Sequence, residues 1–355
     1  MGTRSSAVLI PVASEAEWLA ARRKGVTASE IAVIMGIAPE SYGSAYKLYH
    51  QKLGILPPDD DHPEMERGRD LEPVIARKFA AAHPDLALLG DGRSLYAHPD
   101  RPWQLATPDR IAHEIAEVDA CTCAVGPSGY YGMHERYCGE ELGEPVAVAE
   151  YKSDGGSDEW GEPGTDEIPV HYRAQVLWQM DVMGFDRAYI ACLRIRDWKI
   201  LTYEIGHAEG CGAGRNMLAY PSLACPACDD IAIMRDEARE FLDRIDRQDP
   251  PDVDWRPATI GALKTLHPSV EDTTAIVSDR LARWYHAACR NEKHWEQRKK
   301  LYEARIRQQM GSAHRAYTAI TSEPVARRDV YPVREHVRSA STVDKLVPVY
   351  PKEKK

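Results

Sequence analysis

A chain of 355 residues, 43% hydrophobic and 28% charged, has the balance of a globular protein of one large or two ordinary domains. No apolar run reaches the roughly 18 residues a membrane span needs, and the opening MGTRSSAVLIPVAS lacks an adequate signal-peptide core, so a cytoplasmic protein without a membrane partner is expected. The net charge of −10 sits badly with a uniformly basic nucleic-acid binder, but it is uneven: from Arg280 onward 18 Lys and Arg face 8 Asp and Glu, while the preceding 279 residues hold 27 basic and 47 acidic side chains.

In chain order, residues 1–13 read as a lead-in and 14–55 as two or more helices with a Ser-Tyr-Gly turn at 41–43. Inside that region, Arg22-Arg23-Lys24-Gly25 is followed by Thr27-Ala28-Ser29-Glu30 and the apolar run IAVIMG, where Ser29 suits a helix N-cap aimed at a phosphate. The polar stretch 56–68 predicts a loop ahead of a helix carrying Glu72, and 94–113 fits strand and turn with Asp109 following Pro108. Residues 144–152 form a strand, 168–184 a helix, and 186–195 and 198–205 two further strands. A strongly periodic helix at 229–247 stops at Pro250-Pro251. This alternation predicts an α/β fold. A linker at 251–277 then leads to a helical arm at 278–312, whose stripe of Leu281, Tyr285, Ala288, Trp295, Tyr302 and Ile306 suits a packing arm or a weak coiled coil. The tail from 313 to 355 lacks periodicity and is expected to be disordered without a partner; arm and tail together read either as an electrostatic contact for DNA or a neighbouring subunit, or as solvated surface.

The chemistry lies in GRDLEP, ATPDR, AEYK and YRAQV, which contribute Glu72, Asp109, Glu150, Lys152 and Gln175. A strand puts Glu150 and Lys152 on one face, so the carboxylate can bind a metal while the ammonium can orient and help deprotonate a water or stabilise the charge that builds on a phosphate. Tyr151 between them offers a backbone carbonyl as a further hard oxygen ligand, and Asp109 and Glu72 supply carboxylates from other segments. Such oxygen-rich sets hold Mg²⁺ or Mn²⁺, and a two-ion site needs roughly three carboxylates. Tyr172, Gln175 and Gln179 fall at i, i+3 and i+7 and share one helical face, which is expected to line the cleft with Val176, Leu177 and Met180 turned elsewhere; ordinary amphipathicity would also account for Tyr172 and Gln179. Any one of these acids alone reads as surface charge; the ordered set carries the weight.

Residues 18–36, MERGRDLEP (65–73), LATPDR, AEYK and IPVHYRAQVLWQMDVMG together resemble the YqaJ-like viral recombinase, or lambda-exonuclease, family of PD-(D/E)xK nucleases. The resemblance spans about residues 14–250. It implies a restriction-endonuclease-like core with a mixed central sheet flanked by helices, followed here by the long C-terminal helical arm. It further implies that Asp109, Glu150 and the Tyr151 carbonyl bind metal, that Glu72 serves a second ion or its water shell, that Lys152 positions the nucleophile and that Gln175 lies beside the site. A basic residue and a serine near the N-terminus would grip the DNA 5′ phosphate, here Ser29 with Arg22 or, in reserve, Arg23. The implied activity is metal-dependent exonuclease digestion of linear duplex ends, 5′ to 3′, in phage or prophage homologous recombination inside a bacterial host, with an annealing protein as partner and a ring-shaped homo-oligomer as the relatives' assembly.

Eight cysteines raise a second question. Reduced cytosolic thiols favour metal binding over disulfides. Cys225-Pro-Ala-Cys228 has knuckle spacing, and with His207 and Cys211 it could make a Cys₃His structural zinc site. Cys121, Cys123, His134 and Cys138 form a second cluster in the long insertion between Asp109 and Glu150, and the two clusters could share one metal. Unligated cysteines and an iron–sulfur cluster are the alternatives; the latter would fit a single-strand or structure-specific iron–sulfur nuclease, and a non-catalytic DNA-end-binding scaffold is the reading of another class.

Overall fold

The computed structural model describes residues 7–59, 61–117, 140–157, 159–208, 211, 225–268, 276, 278–310, 315–317 and 324–327. The chain divides into two compact units, Met1–Ser269 and Val270–Lys355.

The first unit opens with strand β1 (Val8–Ile10) and helix α1 (Glu15–Arg23). Ser14 caps α1 by accepting from the Glu17 N–H, Glu15 and Glu17 sit in the first turn, and Arg22 and Arg23 sit in the last, so both ends complement the helix dipole. A two-residue strand β2 (Val26–Thr27) leads directly into α2 (Ala28–Ile34), then α3 (Ala45–Lys52) and α4 (Pro63–Ala82). Pro63 explains why α4 begins inside the predicted loop: its fixed φ is prepared for the first helical position, where the missing N–H costs nothing.

The central sheet runs β3 (Leu86–Leu89), β6 (Arg110–Glu117), β7 (Glu140–Asp154), β8 (Arg187–Arg194), β9 (Lys199–Gly206), with β7 and β8 parallel and every other pair antiparallel. A smaller sheet orders β1, β4 (Leu95–Ala97), β5 (Gln104–Ala106), β2, of which only β2 and β5 run parallel. The α/β expectation with a mixed central sheet flanked by helices is therefore borne out. Period-two alternation along β7 decides what faces what. Ala147, Ala149 and Tyr151 point to Ile75 and Phe79 of α4, whereas Val148 joins the core built by helix α5 (Val170–Met183) with Val176, Leu177, Trp178 and Met180. Glu150 and Lys152 share the parity of Val148 and so emerge on the α5 side.

Helix α5 is buried almost all round, from His171 to Met183, which a helix sandwiched between a sheet and another helix must be. Its outer neighbour is α6 (Pro226–Arg247), which adds Ile231, Met234, Ala238 and Phe241 to the same core. Asp181 of α5 fastens the pair: Arg235 of α6 bonds it from two nitrogens, Arg101 reaches both oxygens at 3.1 Å and Gln104 Nε2 donates at 2.6 Å. Burial alone would raise the Asp181 carboxyl, but these partners outweigh it and hold it below the usual carboxylate range.

The stretch expected to be a linker contains a further helix, α7 (Pro257–Leu266), with Thr259 and Ala262 buried. Arg256, its N-cap residue, donates to the Gly36 carbonyl at 2.8 Å and the Gly43 carbonyl at 3.2 Å, so this segment is part of the first unit. In the second unit the expected arm is a 32-residue helix, α8 (Asp279–Met310). The expectation of disorder past 313 is corrected for two short pieces, since Arg315–Tyr317 and Pro324–Arg327 pair as antiparallel strands β10 and β11, each containing a residue that favours strands, Tyr317 and Val325. Among the described residues, no helix is long and apolar enough to cross a membrane.

Candidate active site

Three segments meet at one cavity: α4 through Arg69 and Glu72, the turn before β6 through Asp109, and β7 through Glu150, Tyr151 and Lys152. The carboxylates predicted from the motifs thus converge, and the helix face with Gln175 and Gln179 closes the set from α5.

Glu150 is the best-held member. It is 3% exposed, and its Oε1 accepts from Lys152 Nζ at 2.7 Å and Gln175 Nε2 at 2.5 Å, while Oε2 accepts from Gln179 Nε2 at 2.9 Å. A carboxylate so deeply buried would be costly without such donors. Gln179, itself fully buried, keeps its other amide atom, Oε1, without a partner. Both glutamines donate to Glu150, a contact that helix amphipathicity alone does not require of Gln179.

Asp109 is held differently. Its Oδ2 accepts the Tyr151 backbone N–H at 2.7 Å. Burial, then the neighbouring Glu150 charge, push its carboxyl up to about 8, against the opposing pull of Lys152 and that backbone donor. A proton there does what a bound cation would do, which is to relieve two crowded carboxylates. Lys152 shows the complementary effect: burial would lower its ammonium, but Glu150 and Asp109 outweigh this and raise it above its ordinary value. The ammonium also sits 4.8 Å from the ring centre of Tyr172, whose hydroxyl shares a 2.8 Å hydrogen bond with that of Tyr42. Tyr172 thus stands beside Lys152, while the cavity itself is lined by α4, Asp109 and β7 and by none of Tyr172, Gln175 and Gln179.

Glu72 has a partner that the sequence reading did not assign. Arg110 Nη1 donates to Glu72 Oε1 at 2.9 Å and to the Asp109 backbone carbonyl, with the guanidinium 5.9 Å from the Tyr151 ring centre. Arg110 follows Asp109 directly in the quoted TPDR, but only the packing of α4 over β6 reveals that it spans two acids. Arg69, within GRDLEP, was also passed over; it lines the cavity while bonding Asp61.

Near the N-terminus, Arg22 Nη2 lies 3.3 Å from both Thr27 Oγ1 and Ser29 Oγ, and the guanidinium stacks 4.3 Å from the Trp18 ring centre. The structure thus brings Arg22, not the reserve Arg23, to Ser29. The N-cap is Thr27, a correction to the expectation for Ser29: Thr27-x-x-Glu30 is a capping box in which Glu30 Oε2 accepts the Thr27 N–H at 2.9 Å, leaving Ser29 in the first turn. Buried Lys52 ties the preceding turn by donating to the carbonyls of Arg22 (2.8 Å) and Gly25 (2.6 Å) and to Glu30 (2.7 Å). Gly25 is required there, since a Cβ would lie 2.2 Å from the Trp103 carbonyl oxygen.

A second cluster lies elsewhere in the same unit. His207, Cys211, Cys225 and Cys228 offer ligand atoms that all lie within 4.8 Å of one another. Burial would raise the Cys225 thiol, but N–H donors of Ala208 and Cys228 and the His207 and Cys228 side chains hold it down to about 6. Cys228 is pushed well up, by burial and by its two cysteine neighbours. The other cluster expected from the sequence, Cys121, Cys123, His134 and Cys138, lies outside the described residues.

Residues 17–186 match the family model of the YqaJ-like viral recombinase domain. The recognition made on the motifs is thereby borne out over that region. No curated protein matches the chain. Among solved structures, it is similar to an alkaline exonuclease (LHK-Exo) from Laribacter hongkongensis, at 18% identity over 66% of this chain and 93% of that one, with a TM-score of 0.40. The same exonuclease in complex with dAMP aligns over the same shares at 18% identity with a TM-score of 0.41, and SSO0001 aligns at 10% identity over 64% and 89% with a TM-score of 0.25.

Proposed function

Taking residues 17–186 as a YqaJ-like viral recombinase domain, we propose that this protein is a divalent-metal-dependent DNA exonuclease that digests linear duplex ends from 5′ to 3′ in phage or prophage recombination. The observation that carries this reading is the convergence of Glu72, Asp109 and Glu150 on one cavity beside the single ammonium of Lys152.

The donor set fits Mg²⁺ or Mn²⁺: three carboxylates are hard oxygen ligands, and the raised Asp109 carboxyl marks a place where negative charge lacks compensation. Glu72, Asp109, Glu150 and the Tyr151 carbonyl would hold two ions. When bound, such ions acidify water and offset phosphate charge. The chain's own residues do the remainder. Lys152, bonded to Glu150, orients the attacking water and meets the phosphate oxygens. Gln175 and Gln179 fix the Glu150 carboxylate so that its direction does not depend on the metal. Arg110 does the same for Glu72. Arg69 stands at the cavity wall as a guanidinium for the scissile strand. Arg22 and Ser29 would grip the terminal 5′ phosphate, with Trp18 flattening the guanidinium. An annealing protein as partner and a homo-oligomeric ring complete the proposal, in the bacterial host cytoplasm.

The test is digestion of 5′-phosphorylated linear duplex, single-stranded and circular DNA with and without Mg²⁺. Loss of the linear duplex from its 5′ ends, with circles spared, supports the reading. Intact linear duplex in Mg²⁺ and in Mn²⁺ would leave a DNA-end-binding scaffold in its place.

A further inference from the structure

The cysteine and histidine cluster is not needed by the nuclease reading, and its geometry is specific. Cys211 Sγ lies 3.4 Å from Cys228 Sγ, and His207 Nδ1 lies 3.4 Å from Cys228 Sγ and 3.6 Å from Cys225 Sγ. A tetrahedral zinc ion with Zn–S of about 2.3 Å and Zn–N of about 2.0 Å sets its sulfur–sulfur edges near about 3.8 Å and its sulfur–nitrogen edges near about 3.6 Å. Three of the six donor pairs therefore already stand near those edges, and all four donor atoms lie within 4.8 Å of one another, close enough for one ion to gather them. A four-iron cluster binds each thiolate to a different iron and holds the sulfurs farther apart than this. The compactness of the group thus favours a single ion over the iron–sulfur alternative.

The surroundings are built for such an ion. The Ala208 N–H donates to Cys225 Sγ at 3.3 Å, the kind of backbone bond that stabilises a ligating thiolate. Cys225 is 4% exposed and is the N-cap of α6, with Cys228 in its first turn; His207 directly follows the last residue of β9. Four soft and borderline donors with no open position for water describe a structural site, not a catalytic one.

We propose that His207, Cys211, Cys225 and Cys228 bind one structural Zn²⁺ that clamps the N-terminus of α6 to the edge strand β9. The consequence reaches the active site through packing. Helix α6 lies against α5, is joined to it by Arg235 and Asp181, and α5 presents Gln175 and Gln179 to Glu150. The zinc is a positioning element, since none of its ligands faces the carboxylate cavity.

The experiment is metal analysis of the full chain, purified under reducing conditions, supplied with Zn²⁺ and passed through a desalting column with EDTA. One zinc per chain is expected, released by a thiol-blocking mercurial in step with the loss of three thiols, and replacement by Co²⁺ should give the visible absorption of tetrahedral thiolate coordination. Cys225→Ser and Cys228→Ser should hold essentially no zinc, whereas Cys289→Ser and Glu150→Gln should retain it in full. The Glu150→Gln arm separates this site from the carboxylate centre, so failure of the nuclease reading and failure of this one are read independently. Should the cysteine variants not fold, the mercurial release from the unaltered protein decides alone. Absence of zinc from the unaltered chain, zinc undiminished in both cysteine variants, or iron with acid-labile sulfide in its place would overturn the proposal.

Discussion

The carboxylate cluster and the cysteine cluster occupy one compact unit and flank one helix pair, yet their side chains are held in opposite ways. Around Glu72, Asp109 and Glu150 the protein supplies its own cations and amides: Arg110, Lys152, Gln175 and Gln179 fix the acids, and Glu72 and Lys152 stay partly open to solvent. Around His207, Cys211, Cys225 and Cys228 the side chains contact mainly each other, with the backbone N–H donors of Ala208 and Cys228 beside them. An oxygen centre that is organised beforehand can exchange ions and substrate without losing its shape. A sulfur centre whose members repel one another unless a cation joins them contributes its binding energy to folding. Metal loss should therefore silence the first and loosen the second.

The largest effect that tests this contrast is catalytic. Glu150→Gln and Lys152→Ala should each lower digestion of linear duplex by on the order of 10³-fold or more, because each removes a charge aimed at the reacting phosphate. Far-ultraviolet circular dichroism and melting temperature should change little in Glu150→Gln, since the amide introduced there still accepts through its oxygen and can donate to the unpartnered Oε1 of Gln179. Digestion at the unaltered rate by either variant breaks the assignment of this centre.

Next comes the sulfur centre, where the order of effects reverses. Cys228→Ser should cost roughly 3 kcal/mol of stability, seen as a fall in Tm on the order of 10 °C for a unit of this size, while digestion measured well below that temperature falls by much less than for Glu150→Gln. A Cys228→Ser protein as stable as the parent, or as inactive as Glu150→Gln, would erase the distinction between the two centres.

How far the two centres could be read from the chain follows from how they are built. Glu150 and Lys152 need only the two-residue period of a strand, and Cys225 and Cys228 only one helical turn, so local spacing shows both. The four-donor sulfur cluster was legible because His207 and Cys211 flank the same excursion. Arg110 and Arg69 were not, since their roles depend on α4 lying across β6, a contact between segments 38 residues apart for Arg110 and Glu72. The same limit hid β1, which becomes a strand only by pairing with Leu95–Ala97, and the role of Gln179, which periodicity alone could not tell from a polar surface position. Helix α7 was hidden differently: the Pro250-Pro251 break reads as an exit from the fold, but Arg256 returns the chain to the Gly36 and Gly43 carbonyls.

A further way to sharpen the contrast is pH in the absence of added metal. Asp109 has a folded carboxyl near 8 against an ordinary value of 3.8. Between those values the folded chain keeps a proton that the unfolded chain has lost, so unfolding releases a proton and stability falls as pH rises, flattening above about 8. At about 1.4 kcal/mol per pH unit for one proton, the fall between pH 5 and 8 should be on the order of a few kcal/mol, the pull of Lys152 and the Tyr151 N–H being already contained in that carboxyl's position. Denaturant unfolding from pH 5 to 8.5 in metal-free buffer should show this slope, and saturating Mg²⁺ or Asp109→Asn should remove it. An equal slope in Asp109→Asn would place the titrating group elsewhere.

The smallest expected effect asks how far the oxygen centre's preorganisation extends along the chain. Arg22 and Ser29 are already in contact, and Thr27 beside them is a helix cap with a separate job. Arg22→Ala should reduce the preference for 5′-phosphate over 5′-hydroxyl ends by about tenfold, the equivalent of one charge-assisted hydrogen bond lost from a partly solvated site, and Ser29→Ala by less. Thr27→Ala should instead cost about 1 kcal/mol of stability through the lost cap. Competition between the two kinds of end in one digestion reads the first pair, and Tm reads the third. If Arg22→Ala lowers digestion of both ends equally, the N-terminal pair belongs to the fold of α1 and α2, and the organised region stops at the carboxylates.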